Sequence, residues 1–156
     1  CNIYISSMAE KQNDNIFDEW FCINDLIHKI NIADFVICTL PLTKNTYHLF
    51  DKKIFSNMKS SSVFINIARG DLVNEEDLVY ALQNNIIAGA ALDVFSKEPL
   101  DKQSILWDLP NAILTPHTSG RIENFIDHAI EYFISNYNAY IQNKQLPNLV
   151  DLNRGY

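Results

Sequence analysis

Ser62-Val63-Phe64-Ile65-Asn66-Ile67-Ala68-Arg69-Gly70 is an apolar, β-branched run that ends abruptly on a cation and a glycine. It is too short for an ordinary helix and reads as a long buried strand stopped by Arg69-Gly70. The same texture recurs on either side. Ile3–Ser7, Phe35–Leu40 (halted by Pro41), Ile87–Phe95 and Ala112–Thr115 are further apolar runs, and Trp20–Ile23 reads as a short edge strand.

Helical patterns fill the spaces between them. Asn24 offers a cap before Leu26, Ile27 and Ile30, and Asp51–Met58 reads as a short helix. Asn74 caps a helix whose inner face is Leu78, Ala81 and Leu82. From Arg121 to about Asn143, the spacing of Phe125, Ile126, Ala129, Ile130, Phe133, Tyr137 and Ile141 traces one amphipathic helix. Glu10–Asn15 reads as a polar loop. Nearly continuous apolar strands alternating with helices predict a doubly wound, Rossmann-like α/β fold, its parallel sheet covered on both faces. Five parallel strands are expected near Ile3–Ser7, Phe35–Leu40, Val63–Ala68, Ala88–Val94 and Ala112–Thr115. In this class ligands bind beyond the carboxyl ends of the strands, and Arg69, Asp93 and His117 all fall at or just after such ends.

Composition narrows the function. The chain has 156 residues, enough for one domain, and 47% of them are apolar, an ordinary share for a globular protein. A formal net charge of −7 with no block of Lys and Arg argues against a nucleic-acid surface and against a polybasic membrane patch. No apolar run approaches the roughly 18–20 residues of a membrane span, and nothing at the start reads as a signal peptide. Cys1, Cys22 and Cys38 are odd in number and form no CxxC pair, which fits reduced thiols in the cytoplasm. His28, His48 and His128 fall on helices or helix ends, none at ligand spacing with a carboxylate, so no metal site is expected.

Three residues fit chemistry at the ligand edge. Arg69 leaves its strand there, and a planar guanidinium can bind a carboxylate through two parallel hydrogen bonds. His117, in Thr115-Pro116-His117-Thr118-Ser119-Gly120, suits proton transfer near neutral pH. Glu98 follows Asp93-Val94-Phe95-Ser96-Lys97 and, within reach of His117, would favour the protonated ring.

Together the motifs Leu40-Pro41-Leu42-Thr43, Asn66-Ile67-Ala68-Arg69-Gly70, Gly89-Ala90-Ala91-Leu92-Asp93-Val94-Phe95, Glu98-Pro99-Leu100 and Thr115-Pro116-His117 occur in order. From Ile3 onward the chain resembles the D-2-hydroxyacid dehydrogenases. The closing Asn148–Tyr156 looks most like their glyoxylate/hydroxypyruvate reductase branch. The resemblance implies hydride transfer between a nicotinamide cofactor, NAD or NADP, and a small 2-oxo or 2-hydroxy acid. It implies that Arg69 binds the substrate carboxylate, that His117 is the acid/base and that Glu98 is its carboxylate partner. It places Asp93 on the nicotinamide carboxamide, and lines the cofactor groove with Ser6, Ser7, Leu40, Pro41 and Thr46 together with Ile67, Ala68, Arg69 and His117. It also implies a homodimer for the full-length protein.

The chain departs from that pattern in one region. Its four glycines, at 70, 89, 120 and 155, form no G-x-G-x-x-G loop, and the first βα unit that would carry it is not recognisable. In a doubly wound sheet that first strand lies between the second, here Ile3–Ser7, and the fourth, here Phe35–Leu40. The chain also starts at Cys1 on strand-like residues. It therefore reads as a C-terminal piece, catalytically dead by itself, with 1–120 belonging to the nucleotide-binding domain and 121–156 forming a crossover helix and tail. That helix is expected to leave Phe125, Phe133 and Tyr137 exposed.

Cofactor choice stays open. Ser6-Ser7-Met8 lacks the acidic residue that favours NAD, the arginine expected for NADP is missing too, and Glu10 and Lys11 lie nearby. Three other readings compete, one of them a non-catalytic nucleotide-binding remnant. Formate dehydrogenases share the fold but carry glutamine where this chain has Glu98, whereas the C-terminal-binding co-repressors, NAD-sensing interaction scaffolds, keep all three of Arg69, Glu98 and His117.

Overall fold

The computed structural model describes residues 1–7 and 17–152, so the loop expected over Glu10–Asn15 lies outside the described residues. The chain forms two compact units, Cys1–His117 and Thr118–Tyr156.

In the first unit, β1 (Tyr4–Ser7) pairs in parallel with β2 (Glu19–Cys22), the edge strand expected at Trp20–Ile23. A second parallel sheet runs in the order β3 (Phe35–Cys38), β4 (Val63–Asn66), β5 (Gly89–Leu92), β6 (Ala112–Leu114). The five expected strands are all present, shorter than the apolar runs that announce them. β4 stops at Asn66 because the next ladder position is taken over by a side chain: Ala68 N–H donates to Asn66 Oδ1 at 3.1 Å.

The strands form two sheets instead of one. The break falls between β1 and β3, where the first strand of a doubly wound order belongs. Tyr4 and Ser6 of β1, Phe21 of β2 and all of β3 line the same cavity.

Helix α1 (Leu26–Lys29) is a single turn between two 3-10 turns, Ile23–Asp25 and Ile30–Ile32. Asn24 does not cap it. The chain already coils at Ile23, so Asn24 sits inside the turn, and Asp25, at the cap position, makes no side-chain cap bond. The cap expected at Asn74 forms, and Asp51, read as the first helical residue, is a second cap. Asp51 accepts from the backbone of Lys53 and Ile54 at the start of α2 (Lys52–Asn57), both at 3.0 Å. Asn74 accepts from Asp77 N at 3.2 Å at the start of α3 (Glu75–Gln83), where Glu75, Glu76 and Asp77 complement the helix dipole.

The core is one cluster in which Phe55, Leu78 and Leu82 from α2 and α3 meet Phe64, Ala90 and Leu92 of the sheet. Phe64 is fully buried and touches two rings, Phe50 at 4.8 Å between centroids and Phe55, edge-on, at 5.4 Å. Strand alternation places Phe35, Ile37, Ile65 and Ile113 on the opposite face. That face is open, with Phe35 66% and Ile113 69% exposed. The expectation of cover on both faces is corrected here, because α2 and α3 both pack on the Phe64 side. Cys38, 1% exposed at the end of β3, has its thiol pushed up to about 11 by burial and is a packing residue.

In the second unit, α4 (Phe125–Ile141) begins later than Arg121, because Asn124 adopts a left-handed conformation (φ 61°) that interrupts the helical path. Helix α4 buries none of its residues, and Phe125, Phe133 and Tyr137 are 60%, 69% and 54% exposed. Among the described residues, no helix is long and apolar enough to cross a membrane.

The triple-ring packing makes a prediction. Phe64→Ala should cost about 3–5 kcal/mol in urea unfolding, the range for emptying a buried aromatic site. A loss under about 1 kcal/mol would show that the site collapses around the smaller residue.

Candidate active site at the carboxyl edge of the sheet

Parallel register sets Asn66 of β4 beside Leu92 of β5, and Leu92 beside Leu114 of β6, so the three segments that follow leave the sheet side by side. Backbone hydrogen bonds tie them together just past the strand ends. Asp93 N donates to Asn66 O at 3.0 Å, and His117 N to Asp93 O at 2.8 Å.

Arg69 follows β4 in an extended conformation (φ −143°, ψ 145°), and its Nη1 donates to Ala68 O at 2.6 Å. Gly70 comes next for a steric reason. A Cβ there would lie 1.9 Å from the carbonyl carbon of Phe95 and 2.4 Å from Ser96 N, so the turn carrying Arg69 packs directly on the backbone leading to Glu98.

Glu98 is held at both oxygens. Oε1 accepts from Phe95 N at 3.0 Å, and Oε2 lies 2.7 Å from His117 Nδ1. That bond to His117 is the main reason the Glu98 carboxyl sits below the usual carboxylate range. Partial desolvation opposes it, and the Phe95 N–H and the charges of His117 and Arg69 reinforce it. His117 itself has φ 52°, an uncommon conformation outside glycine, fixed by the bond from its N–H to Asp93 O. With Nδ1 turned to Glu98, Nε2 is the nitrogen left for proton exchange with a ligand. Asp93 is 3% exposed and accepts from the Thr115 hydroxyl.

The remaining expected residues are more scattered. Ser6 and Ser7 end β1 in the two-stranded sheet; among the described residues the buried Ser6 Oγ has no hydrogen-bond partner, and Ser7 Oγ accepts from Trp20 Nε1 at 3.0 Å. Leu40 and Pro41 follow β3 and are half-buried. Thr46 is 1% exposed, and its hydroxyl donates to Pro41 O and accepts from Thr43 N, both at 2.8 Å, so it shapes that loop from within. After β4, Ile67 is 43% exposed whereas Ala68 is buried. The structure thus gathers Arg69, Asp93, Glu98 and His117 at one edge, and holds Ser6 and Ser7 on a separate sheet. Among the described residues, no group of three or more His, Cys, Asp or Glu is arranged to hold a metal ion.

Asn66 was not singled out from the sequence. The signal was there: a lone amide at an inward position of an otherwise apolar strand.

The parallel strand order and the polar groups at this edge define a Rossmann-like α/β domain of the dinucleotide-binding kind. The chain belongs to the D-isomer specific 2-hydroxyacid dehydrogenase family, matching the model of that family's NAD binding domain over residues 1–119. Glyoxylate/hydroxypyruvate reductase B of Klebsiella pneumoniae is 44% identical over 115 residues, which cover 74% of this chain and 35% of that protein. A D-isomer specific 2-hydroxyacid dehydrogenase of Xanthobacter autotrophicus, solved with NADPH and MES, is similar with a TM-score of 0.90 at 30% identity, over 99% of this chain and 63% of that one. The NADPH-dependent glyoxylate/hydroxypyruvate reductase of Sinorhizobium meliloti, solved with NADP and sulfate, gives 0.88 at 26% identity, over 99% and 49%. The chain therefore spans between a third and a half of the curated relatives it matches.

The contact at Gly70 can be tested. Gly70→Ala should destabilise by the upper end of the about 1–3 kcal/mol typical of overpacking, because backbone cannot yield as a side chain would. Gly120→Ala, whose Cβ would meet nothing within 4 Å, is the control and should stay within about 0.5 kcal/mol in the same thermal melts.

Proposed function

We propose that this chain is the acid/base and cofactor-binding part of a nicotinamide-dependent D-2-hydroxyacid dehydrogenase that reduces small 2-oxo acids, glyoxylate and hydroxypyruvate first among them. The observation that carries this reading is the 2.7 Å contact between His117 Nδ1 and Glu98 Oε2, at the same sheet edge as Arg69. The names of the relatives supply the substrate class.

The residues present fit the two ends of a dinucleotide. Among the described residues Ser6 Oγ, near the end of β1, has no hydrogen-bond partner and is the candidate contact for a ribose, and Asp93 with the exposed Ile67 is the candidate polar and apolar contact for a nicotinamide ring. Both NAD and NADP are within the proposal. Ser6-Ser7 puts no carboxylate against a 2′-phosphate, and the two solved relatives hold NADPH or NADP. Glu10 and Lys11, which also bear on the choice, lie outside the described residues.

When bound, the reduced nicotinamide supplies the hydride to the 2-oxo carbon. The residues do the rest. Arg69 pairs with the substrate carboxylate and stabilises the negative charge that develops on the carbonyl oxygen. His117 gives its Nε2 proton to that oxygen, completing the 2-hydroxy acid, and takes it back in the oxidative direction. Glu98 holds the ring in orientation through its contact with Nδ1. We assign the full-length protein to the cytoplasm as a homodimer, with reduced cysteines and the exposed apolar residues of α4 in keeping with both.

The test uses the full-length protein with glyoxylate or hydroxypyruvate and either cofactor. His117→Ala should lower kcat by about 10²–10⁴ while cofactor affinity, read by nucleotide fluorescence, barely changes. Arg69→Lys should lower kcat/KM by about 10²–10³, because an ammonium cannot reproduce the guanidinium fork. Glu98→Gln should lower kcat by about tenfold or more with cofactor affinity unchanged, because an amide oxygen holds the His117 ring less firmly than a carboxylate does. Undiminished turnover in His117→Ala sinks the mechanism. Wild-type protein that binds nucleotide but reduces neither acid would favour an NAD-sensing scaffold instead.

A further inference from the structure

We infer that Asn66 is a positioning residue for Arg69: its buried carboxamide builds the turn that aims the guanidinium and couples that turn to the His117 side of the site. The inference rests on the role proposed above for Arg69.

An amide that is 1% exposed within an apolar strand must find partners for both its donor and its acceptor, because burying either unpaired is costly. Asn66 finds both on the turn that follows. Oδ1 accepts from Ala68 N at 3.1 Å, and Nδ2 donates to Arg69 O at 2.9 Å. The side chain thus holds the backbone on both sides of the Ala68–Arg69 peptide, as Asn side chains do in Asx-type turns. Its own carbonyl accepts from Asp93 N at 3.0 Å, and Asp93 O accepts from His117 N at 2.8 Å. One residue therefore links the backbone under the cation to the backbone under the acid/base.

The Arg69 side chain has little else to fix it. It is exposed, and among the described residues its one hydrogen bond is to its own preceding carbonyl, Nη1 to Ala68 O at 2.6 Å. A long side chain of this kind recovers precision only if its Cα and first torsions are set by the backbone, and the Asn66 carboxamide sets them. Register excludes a direct role for Asn66, which shares the covered face of β4 with Phe64 while the ligand edge lies beyond.

The experiment compares Asn66→Ala and Asn66→Ser in the full-length protein, with glyoxylate, hydroxypyruvate and either cofactor. Asn66→Ala should raise the KM for the 2-oxo acid about tenfold or more, as expected when a substrate-binding group is misplaced, and leave the KM for cofactor within about twofold. On an Arg69→Ala background the same change should cost less than about threefold in kcat/KM, because the group it positions is gone. Hydrogen exchange at the Ala68 amide should speed up about tenfold in Asn66→Ala, the loss of one buried hydrogen bond. Asn66→Ser keeps an acceptor for Ala68 N–H but cannot reach Arg69 O. It should preserve the protection and still raise the KM, and it carries the test if Asn66→Ala does not fold. A merely structural role predicts a smaller active fraction with unchanged KM for the 2-oxo acid, or a full further loss on the Arg69→Ala background, and either result overturns the inference. Wild-type protein without turnover would count against the proposed function, and exchange at Ala68 would then decide the clamp by itself.

Discussion

The backbone bonds running from β4 to β5 to β6 just past their ends are the constraint on which the site depends. Asp93 N–H reaches Asn66 O and His117 N–H reaches Asp93 O, so three segments that are distant in sequence leave the sheet at one level. Parallel pairing makes this possible, because it directs every strand's carboxyl end to the same edge. The approach is closed sterically at Gly70, where the turn carrying Arg69 lies against Phe95 with no room for a Cβ. A residue with any side chain at that position would push the cation away from the carboxylate.

Electrostatics alone would not hold this arrangement. The side chains of His117 and Glu98 are 49% and 36% exposed, and an ion pair so open to water contributes little net stability. The pair forms because each partner is already fixed from behind. Phe95 N–H holds one carboxylate oxygen of Glu98, and the His117 backbone is held in its left-handed conformation by Asp93. The pair can therefore serve proton transfer without being asked to stabilise the fold.

The sequence made the strands legible because each is an apolar run bounded by Pro, Gly or a polar residue, and burial on the Phe64 side needs no more than that. Asn74 was legible as a cap because it directly precedes a run of good helix formers, whereas Asp51, read as the first residue of its helix, proves to be the cap before it. Asn24 misled because a 3-10 turn begins one residue before it, and α4 starts late because Asn124 turns left-handed, neither of which periodicity can register. The open face of the sheet was illegible for another reason: Phe35 and Ile113 are as apolar as Phe64, and composition does not say whether a helix will be present to cover them. At the site, the positions of Arg69, Glu98 and His117 beyond strand ends could be read. Their mutual distances depended on turns whose shapes come from Asn66 and Gly70.

Alternation along β4 divides those duties between its faces. Phe64, Asn66 and Ala68 turn inward, and Ile65 and Ile67 turn to the open side. A polar clamp can sit only on the inward set, where water does not compete for its hydrogen bonds and the carboxamide keeps a single geometry. A ligand-facing contact can come only from the outward set or from residues past the strand. Ile67 at 43% exposure and the exposed Arg69 meet that condition. Moving β4 by one residue would exchange the two sets, exposing the clamp and burying the cation. The register with β5 that lines up the strand ends therefore also decides which residues of β4 can build the site and which can meet a ligand.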